Sequence, residues 1–198
     1  MAAFEEDDSM KKRETLDALL EPVADLEKLM RQLGCPWMII GGIAVSLLGK
    51  PRFTADVDIV VLIEDMDVER LIKSAGRFGF KPRLKDVYSF ARQNRVVLLQ
   101  HQKSRINVDM SLGILPFEQQ AVKNSRPYKI GDVTFRLPRV EDLIILKAVA
   151  NRPQDLLDIR EIIKQNRTID KRYVRKTVKE FSKILQMPEI LKGLDAIF

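Results

Sequence analysis

The chain is short of several things. It has one cysteine, Cys35, so no disulfide can form within it, and a reducing cytoplasm is the expected setting. Beside Pro36, that thiol reads as packing. It has one histidine, His101, flanked by Gln100, Gln102 and Lys103. An exposed polar strand edge is expected there, and no Ser-His-Asp or Cys-His catalytic arrangement. No apolar run approaches the roughly 20 residues that a membrane span needs, so no membrane partner is expected. The opening "MAAFEEDDSMKKRE" lacks the apolar stretch of a secretory signal and reads as a flexible tail, residues 1–14.

What is present suits a globular domain. The 198 residues are 45% apolar and 31% charged, enough for one sizeable core. The net charge is +6, and the stretch from Arg160 to Lys183 alone holds nine Lys/Arg against three Asp/Glu. The rest sums to about zero, so the basic excess predicts a localised partner surface.

Apolar residues at Leu16, Leu19, Leu20, Val23, Leu26, Leu29, Met30 and Leu33 recur at helical spacing. They predict a helix from about Lys12 to Gly34, where Gly34 and Pro36 stop it. Trp37–Ile40 reads as a short buried strand, and Gly41-Gly42 turns it into a short helix over 43–48. The β-branched run Ile59–Ile63 is a central strand. A helix is expected over 67–78, then strands over 88–92, 96–101 and 105–112. A short helix near 117–123 and a hairpin at Gly131-Asp132 follow. From Glu141 onward all signals are helical. The expected fold is α/β of the α+β kind. A mixed-sheet core with its N-terminal helix covers 15–137, and a C-terminal helical unit covers 138–198, with Pro138 as the joint.

The chemistry begins with "ADVDIVVLI". Asp56 and Asp58 lie two apart at a strand start, so both side chains point to one face. Two such charges about 4 Å apart repel by roughly 4 kcal/mol at an effective dielectric near 20. A divalent cation relieves that, and hard Mg²⁺ prefers carboxylate oxygens. A third carboxylate, Asp109, occupies the polar face of "INVDMSL", opposite Ile106, Val108, Met110 and Leu112. If that strand neighbours the first, three carboxylates converge as a two-metal ligand set. Gly41-Gly42 allows a tight turn and close approach by a phosphate at a new helix N-terminus, and Ser46 lies one turn further in.

The order Ile40-Gly41-Gly42, then Asp56-Val57-Asp58-Ile59, then Val108-Asp109-Met110 resembles the nucleotidyltransferase fold of the polymerase-beta superfamily. The run "GGIAVSLLGKPRFTADVD" is most similar to abortive-infection toxin-like members and small relatives. The resemblance covers about 36–163. It implies that Gly41 and Gly42 hold a triphosphate, and that Asp56, Asp58 and Asp109 bind Mg²⁺, or Mn²⁺ in its place. It adds Arg52, in "RFTAD", and Lys147 and Asp155, in "EDLIILKAVANRPQDLLDI", as nucleotide-binding candidates. The residues are compatible with this. Lys147 lies in a largely apolar helix, where an ammonium needs an anionic partner: a phosphate, or a carboxylate such as Asp155 or Asp158. Asp155 also suits the first turn of a helix begun by Pro153.

On a helix from about 170 to 185, Arg172, Arg175, Lys176, Lys179 and Lys183 fall in one sector, opposite Val174, Val178, Phe181 and Leu185. Like charges at such spacing repel. The stripe fits a nucleic-acid acceptor, an acidic, antitoxin-like partner protein, or a merely solvated face. Together the expectation is a Mg²⁺-dependent, cytoplasmic, toxin-like enzyme. It would transfer a nucleoside monophosphate from an NTP to a hydroxyl, such as an RNA (tRNA) end. The rivals are a catalytically inactive nucleotide- or partner-binding module of the same fold and a metal-dependent nuclease.

Overall fold

The computed structural model describes residues 2–63 and 68–198, with side chains from residue 18 onward. The expected helix start at Asp67 and the core position of Leu16 fall outside what is described. The chain divides into two compact units, one of Met1–Ile43 and Arg52–Leu137, the other of Ala44–Pro51 and Pro138–Phe198.

The first unit opens with α1 (Ala2–Leu33), whose backbone takes in most of the segment expected as a tail. Leu19, Val23, Leu26, Leu29 and Met30 form its buried stripe. Then come β1 (Trp37–Ile39), the start of α2 (Gly41–Leu48), β2 (Asp56–Val61) and α3 (Val68–Ala75). After them lie β3 (Phe80–Pro82), α4 (Val87–Asn94), β4 (Val96–His101) and β5 (Asn107–Leu112), followed by α5 (Pro116–Asn124), β6 (Arg126–Ile130) and β7 (Val133–Leu137). The main sheet runs β1-β2-β5-β4-β3, and β6 and β7 form a separate hairpin. Within the main sheet β2 and β5 are parallel and every other pair is antiparallel.

Two local expectations are corrected. The segment expected as a strand over 88–92 is helix α4, and the edge strand is β3, a few residues earlier. Tyr88 and Phe90 have strand propensity, but Val87 and Ala91, four apart, are the buried pair. His101 is not an exposed edge residue: it is 2% exposed. Its Nδ1 accepts from the Ser104 hydroxyl at 2.8 Å and the Ser104 N–H at 3.3 Å, so Nε2 carries the proton and donates to Asp25 Oδ2 at 3.2 Å. Ser104, His101 and Asp25 therefore form one hydrogen-bonded chain. Its place is the turn between β4 and β5, where it ties that turn to α1. A Lys103–Glu21 ion pair ties the same two elements.

The second unit holds the rest of α2 and four helices: α6 (Val140–Ala150), α7 (Pro153–Gln165), α8 (Lys171–Ile184) and α9 (Pro188–Asp195). Leu143, Ile144, Ile159, Ile162, Val174, Val178, Ile190 and Leu194 are buried. Asn166 Nδ2 caps two helix ends at once, donating to Leu48 O at 2.6 Å and Ile162 O at 2.7 Å. Buried Asp142 receives both arms of the Arg139 guanidinium, at 2.8 and 2.9 Å, and the Tyr173 hydroxyl at 3.1 Å, which links α6 to α8.

Candidate active site

Strand alternation sorts the sheet of the first unit into two faces. Val57, Ile59, Val97, Leu99, Val108 and Met110 are buried on one. Asp56, Asp58, Leu98, Asn107, Asp109 and Ser111 lie on the other, which is half-open. The parallel register pairs Asp58 with Asp109 and Asp56 with Asn107. Paired residues in a sheet present their side chains to the same face, about 5 Å apart. β2 lies directly beside β5, so Asp56, Asp58 and Asp109 share one face.

The glycines close this arrangement from above. Ile40 N–H donates to Asp58 O at 2.8 Å, which holds the end of β1 against β2 at that point. Gly41 follows with φ +62°, and a Cβ there would fall 1.9 Å from Asp58 Oδ2. A Cβ on Gly42 would fall 2.4 Å from Thr54 Oγ1. Neither position has room for a side chain. The first turn of α2 therefore brings bare backbone against the acidic strand, and its N-terminal amides favour negative charge. Arg52 Nη1 donates to Phe53 O at 3.1 Å in the loop leading into β2.

Asp109 is engaged by a residue that sequence reasoning missed. Arg83, just past β3, forms an ion pair with Asp109 Oδ1. The Arg83 N–H donates to Leu98 O at 3.0 Å, and Leu98 pairs with Asp109. Arg83, Leu98, Asp109 and Asp58 therefore form one row across four strands. Burial pushes the Asp109 carboxyl up from its usual range, Arg83 opposes that, and the charge of Asp56 adds to it. The field of Asp56 thus reaches Asp109.

Three carboxylates on a half-open face, under a backbone turn with no room for a Cβ, are a donor set of the kind that holds Mg²⁺. Among the described residues no three His, Cys, Asp or Glu side chains are already gathered closely enough to hold an ion. The Asp109 carboxylate is turned to Arg83 instead.

The remaining candidates lie in the second unit. Ser46 is on α2. Lys147, 5% exposed, donates to Asp155 Oδ1 at 2.7 Å and pairs with Asp158 Oδ2 at 2.8 Å. Arg152 Nε donates to Asp155 Oδ2 at 2.6 Å, and Gln154 to Asp158 Oδ1 at 2.9 Å. Burial alone would raise the Asp155 carboxyl, but hydrogen bonds from Arg152 and Lys147 outweigh it and hold that group below the usual range. Of the two anionic partners the sequence allowed for Lys147, the structure provides the carboxylates. Arg172, Arg175, Lys176, Lys179 and Lys183 are all exposed on α8. Arg175 is clamped to Asp195 through two contacts, at 2.7 and 3.0 Å. Leu185, expected on the packed face, is 46% exposed just beyond the helix end.

Comparison with known proteins bears on the family and the fold. A family model described as "Nucleotidyl transferase of unknown function (DUF2204)" matches residues 20–194. Among solved structures, the chain is similar to an antigenic nucleotidyltransferase-like protein from Paracoccidioides brasiliensis, with 17% identity and a TM-score of 0.55 over 90% of this chain and 96% of that one. It is also similar to the antibiotic-resistance factor ANT(2'')-Ia in solution, with 13% identity and a TM-score of 0.59 over 88% of this chain and 96% of that one. The complex of ANT(2'')-Ia with adenylyl-2''-tobramycin gives 13% identity and a TM-score of 0.58 over 84% and 98%. At these identities the likeness is one of fold. No curated protein matches.

Proposed function

The chain belongs to that nucleotidyl transferase family, and from this premise we propose that it transfers a nucleoside monophosphate from an NTP to a hydroxyl acceptor. The observation that carries the reading is the pairing of Asp58 with Asp109 on parallel strands, beneath the close backbone of Gly41.

In this reading Asp56, Asp58 and Asp109 hold divalent cations, Mg²⁺ or Mn²⁺, whose chemistry is to neutralise the triphosphate and ease ionisation of the acceptor hydroxyl. Gly41 and Gly42 give the phosphates access to backbone amides at the start of α2. Asp109 is assigned to take the proton from the acceptor hydroxyl as its oxygen attacks the α-phosphorus. The bond to pyrophosphate breaks as the new phosphoester forms. Arg52 and Ser46 are assigned to the nucleotide. Lys147 and Asp155 are assigned to the nucleotide as well, each oriented by the other.

The finer reading is an RNA end as acceptor, in a toxin-like role within the cytoplasm. It is supported by the exposed basic stripe of Arg172, Arg175, Lys176, Lys179 and Lys183, which suits a polyanion or an acidic, antitoxin-like partner protein. The second reading, a module that binds nucleotide without transfer, draws support from the Arg83–Asp109 pair, which occupies the third carboxylate.

Titration of each nucleoside triphosphate with and without Mg²⁺ tests the proposal. Wild type is expected to bind in a Mg²⁺-dependent way and Asp58→Asn to lose that dependence. Equal binding by the two proteins, or binding by neither, sinks it. Labelled triphosphate incubated with total RNA then reports transfer, and a labelled RNA band in wild type alone separates an enzyme from a binding module.

A further inference from the structure

Resting on that reading, we infer that Arg83 is an exchangeable counter-ion of the active site. It occupies Asp109 before loading and passes to the incoming triphosphate when a divalent cation takes the carboxylate.

The inference starts from charge. Asp56, Asp58 and Asp109 share one half-open face, and Asp56 acts on Asp109 through space. A guanidinium is the cation seen on Asp109. Competition from another cation is what can remove it. A divalent cation bound to Asp109 would sit beside a like charge, so the two contest the same carboxylate.

The placement of Arg83 permits exchange. It follows the three-residue edge strand β3, and its side chain is 27% exposed. Its backbone is held by the hydrogen bond to Leu98 O, so the side chain can release Asp109 while its root stays fixed in the row. Once released, the guanidinium lies at the margin of a site that is receiving phosphates, which its planar fork binds well.

The surroundings favour an anion on that side. From Glu69 to Arg95 there are eight Lys/Arg and two Asp/Glu. Lys81, two residues before Arg83 and on the same face of that edge, is also exposed. The whole-chain sum had hidden this second basic stretch. The open face of the sheet thus runs from carboxylates on β2 and β5 to Lys81 and Arg83 at the β3 edge.

Exchange predicts opposite signs in two binding measurements, which a merely structural role does not. With Mn²⁺ alone, followed by the electron paramagnetic resonance of the free ion, Arg83→Gln is expected to bind about tenfold tighter than wild type. With Mg²⁺ and the triphosphate that wild type binds best, Arg83→Gln is expected to bind about tenfold weaker. Arg83→Lys, which keeps the charge, should stay near wild type for Mn²⁺ alone, and circular dichroism melts check that each variant is folded. Equal Mn²⁺ affinity in wild type and Arg83→Gln, or undiminished triphosphate binding, overturns the exchange. The proposed function still stands in that case, provided Asp58→Asn abolishes Mn²⁺ binding. If neither protein binds Mn²⁺, or if Asp58→Asn makes no difference, the metal site is wrong and both ideas fall.

Discussion

Two acidic clusters in this chain are made of the same residue type and are built to opposite ends. In the second unit, Asp155 and Asp158 meet Lys147 and Arg152, two anions against two cations. The carboxylates are buried and hydrogen-bonded, and their charge is closed. In the first unit, Asp56, Asp58 and Asp109 gather on a half-open face, where Arg83 is paired to one of them. A closed cluster is a structural joint, because every charge is already answered. An open one holds its carboxylates at a surface that solvent and solutes can reach. The difference lies in the balance and access of the carboxylates rather than in their number.

The comparison can be broken most sharply at Lys147. Lys147→Met leaves two buried carboxylates facing each other, and a loss of about 3–5 kcal/mol is expected, because breaking one partner out of a buried ion pair strands the other. Thermal or urea unfolding measures it, and a near-neutral result would mean that the cluster is not closed. Next in size is Gly41→Ala. It demands φ +62° of an alanine and drives its Cβ into the Asp58 carboxylate, so a cost of about 2 kcal/mol or more is expected. Mg²⁺–triphosphate binding should fall with it.

A smaller effect should appear on acidification. The Asp155 carboxyl is depressed in the folded state. Its contribution is therefore present above the unfolded value, near 4, and is lost as pH falls through the lower folded value. Melts between pH 6 and pH 2 should show a fall in stability that is reduced in Asp155→Asn, compared with that variant's own value at pH 6. The smallest effect belongs to the open cluster. Asp56→Asn removes a charge that repels Asp109, so stability should change by no more than about 0.5 kcal/mol, on the stabilising side. A loss instead would show that Asp56 is held by contacts worth more than the repulsion.

Much of the open cluster was legible because it is written in strand alternation. "DVDIVV" and "NVDMSL" each put carboxylates on one face and apolar residues on the other, and Gly41-Gly42 marked the turn above them. What could not be read was which strands lie side by side. Arg83 sits in "FKPRLKD", a stretch with no period. Its importance comes from the position of β3 at the far edge of the sheet, in line with residues of β4 and β5. Its one signal was charge density over 69–95, hidden by summing it with the acidic N-terminus. His101 was misread for a related reason. Its neighbours in sequence are polar, but Asp25, which answers its buried Nε2–H, lies on α1. Lys147 was legible in part: an ammonium in an apolar helix announced an anion, but not which one.

The parallel pairing of β2 with β5 also fixes when the site can exist. Asp58 and Asp109 are about fifty residues apart in sequence, and β3, α4 and β4 must be made between them. During synthesis β2 therefore leaves the ribosome with its β5 flank unpaired, and the acidic face is complete only after Leu112 has emerged. A product truncated between Asp58 and Asp109 would carry the Gly-Gly turn and the first two aspartates but lack the third carboxylate of the proposed site. An enzyme of the proposed kind could assemble its acidic face only once synthesis has passed the middle of the 198-residue chain.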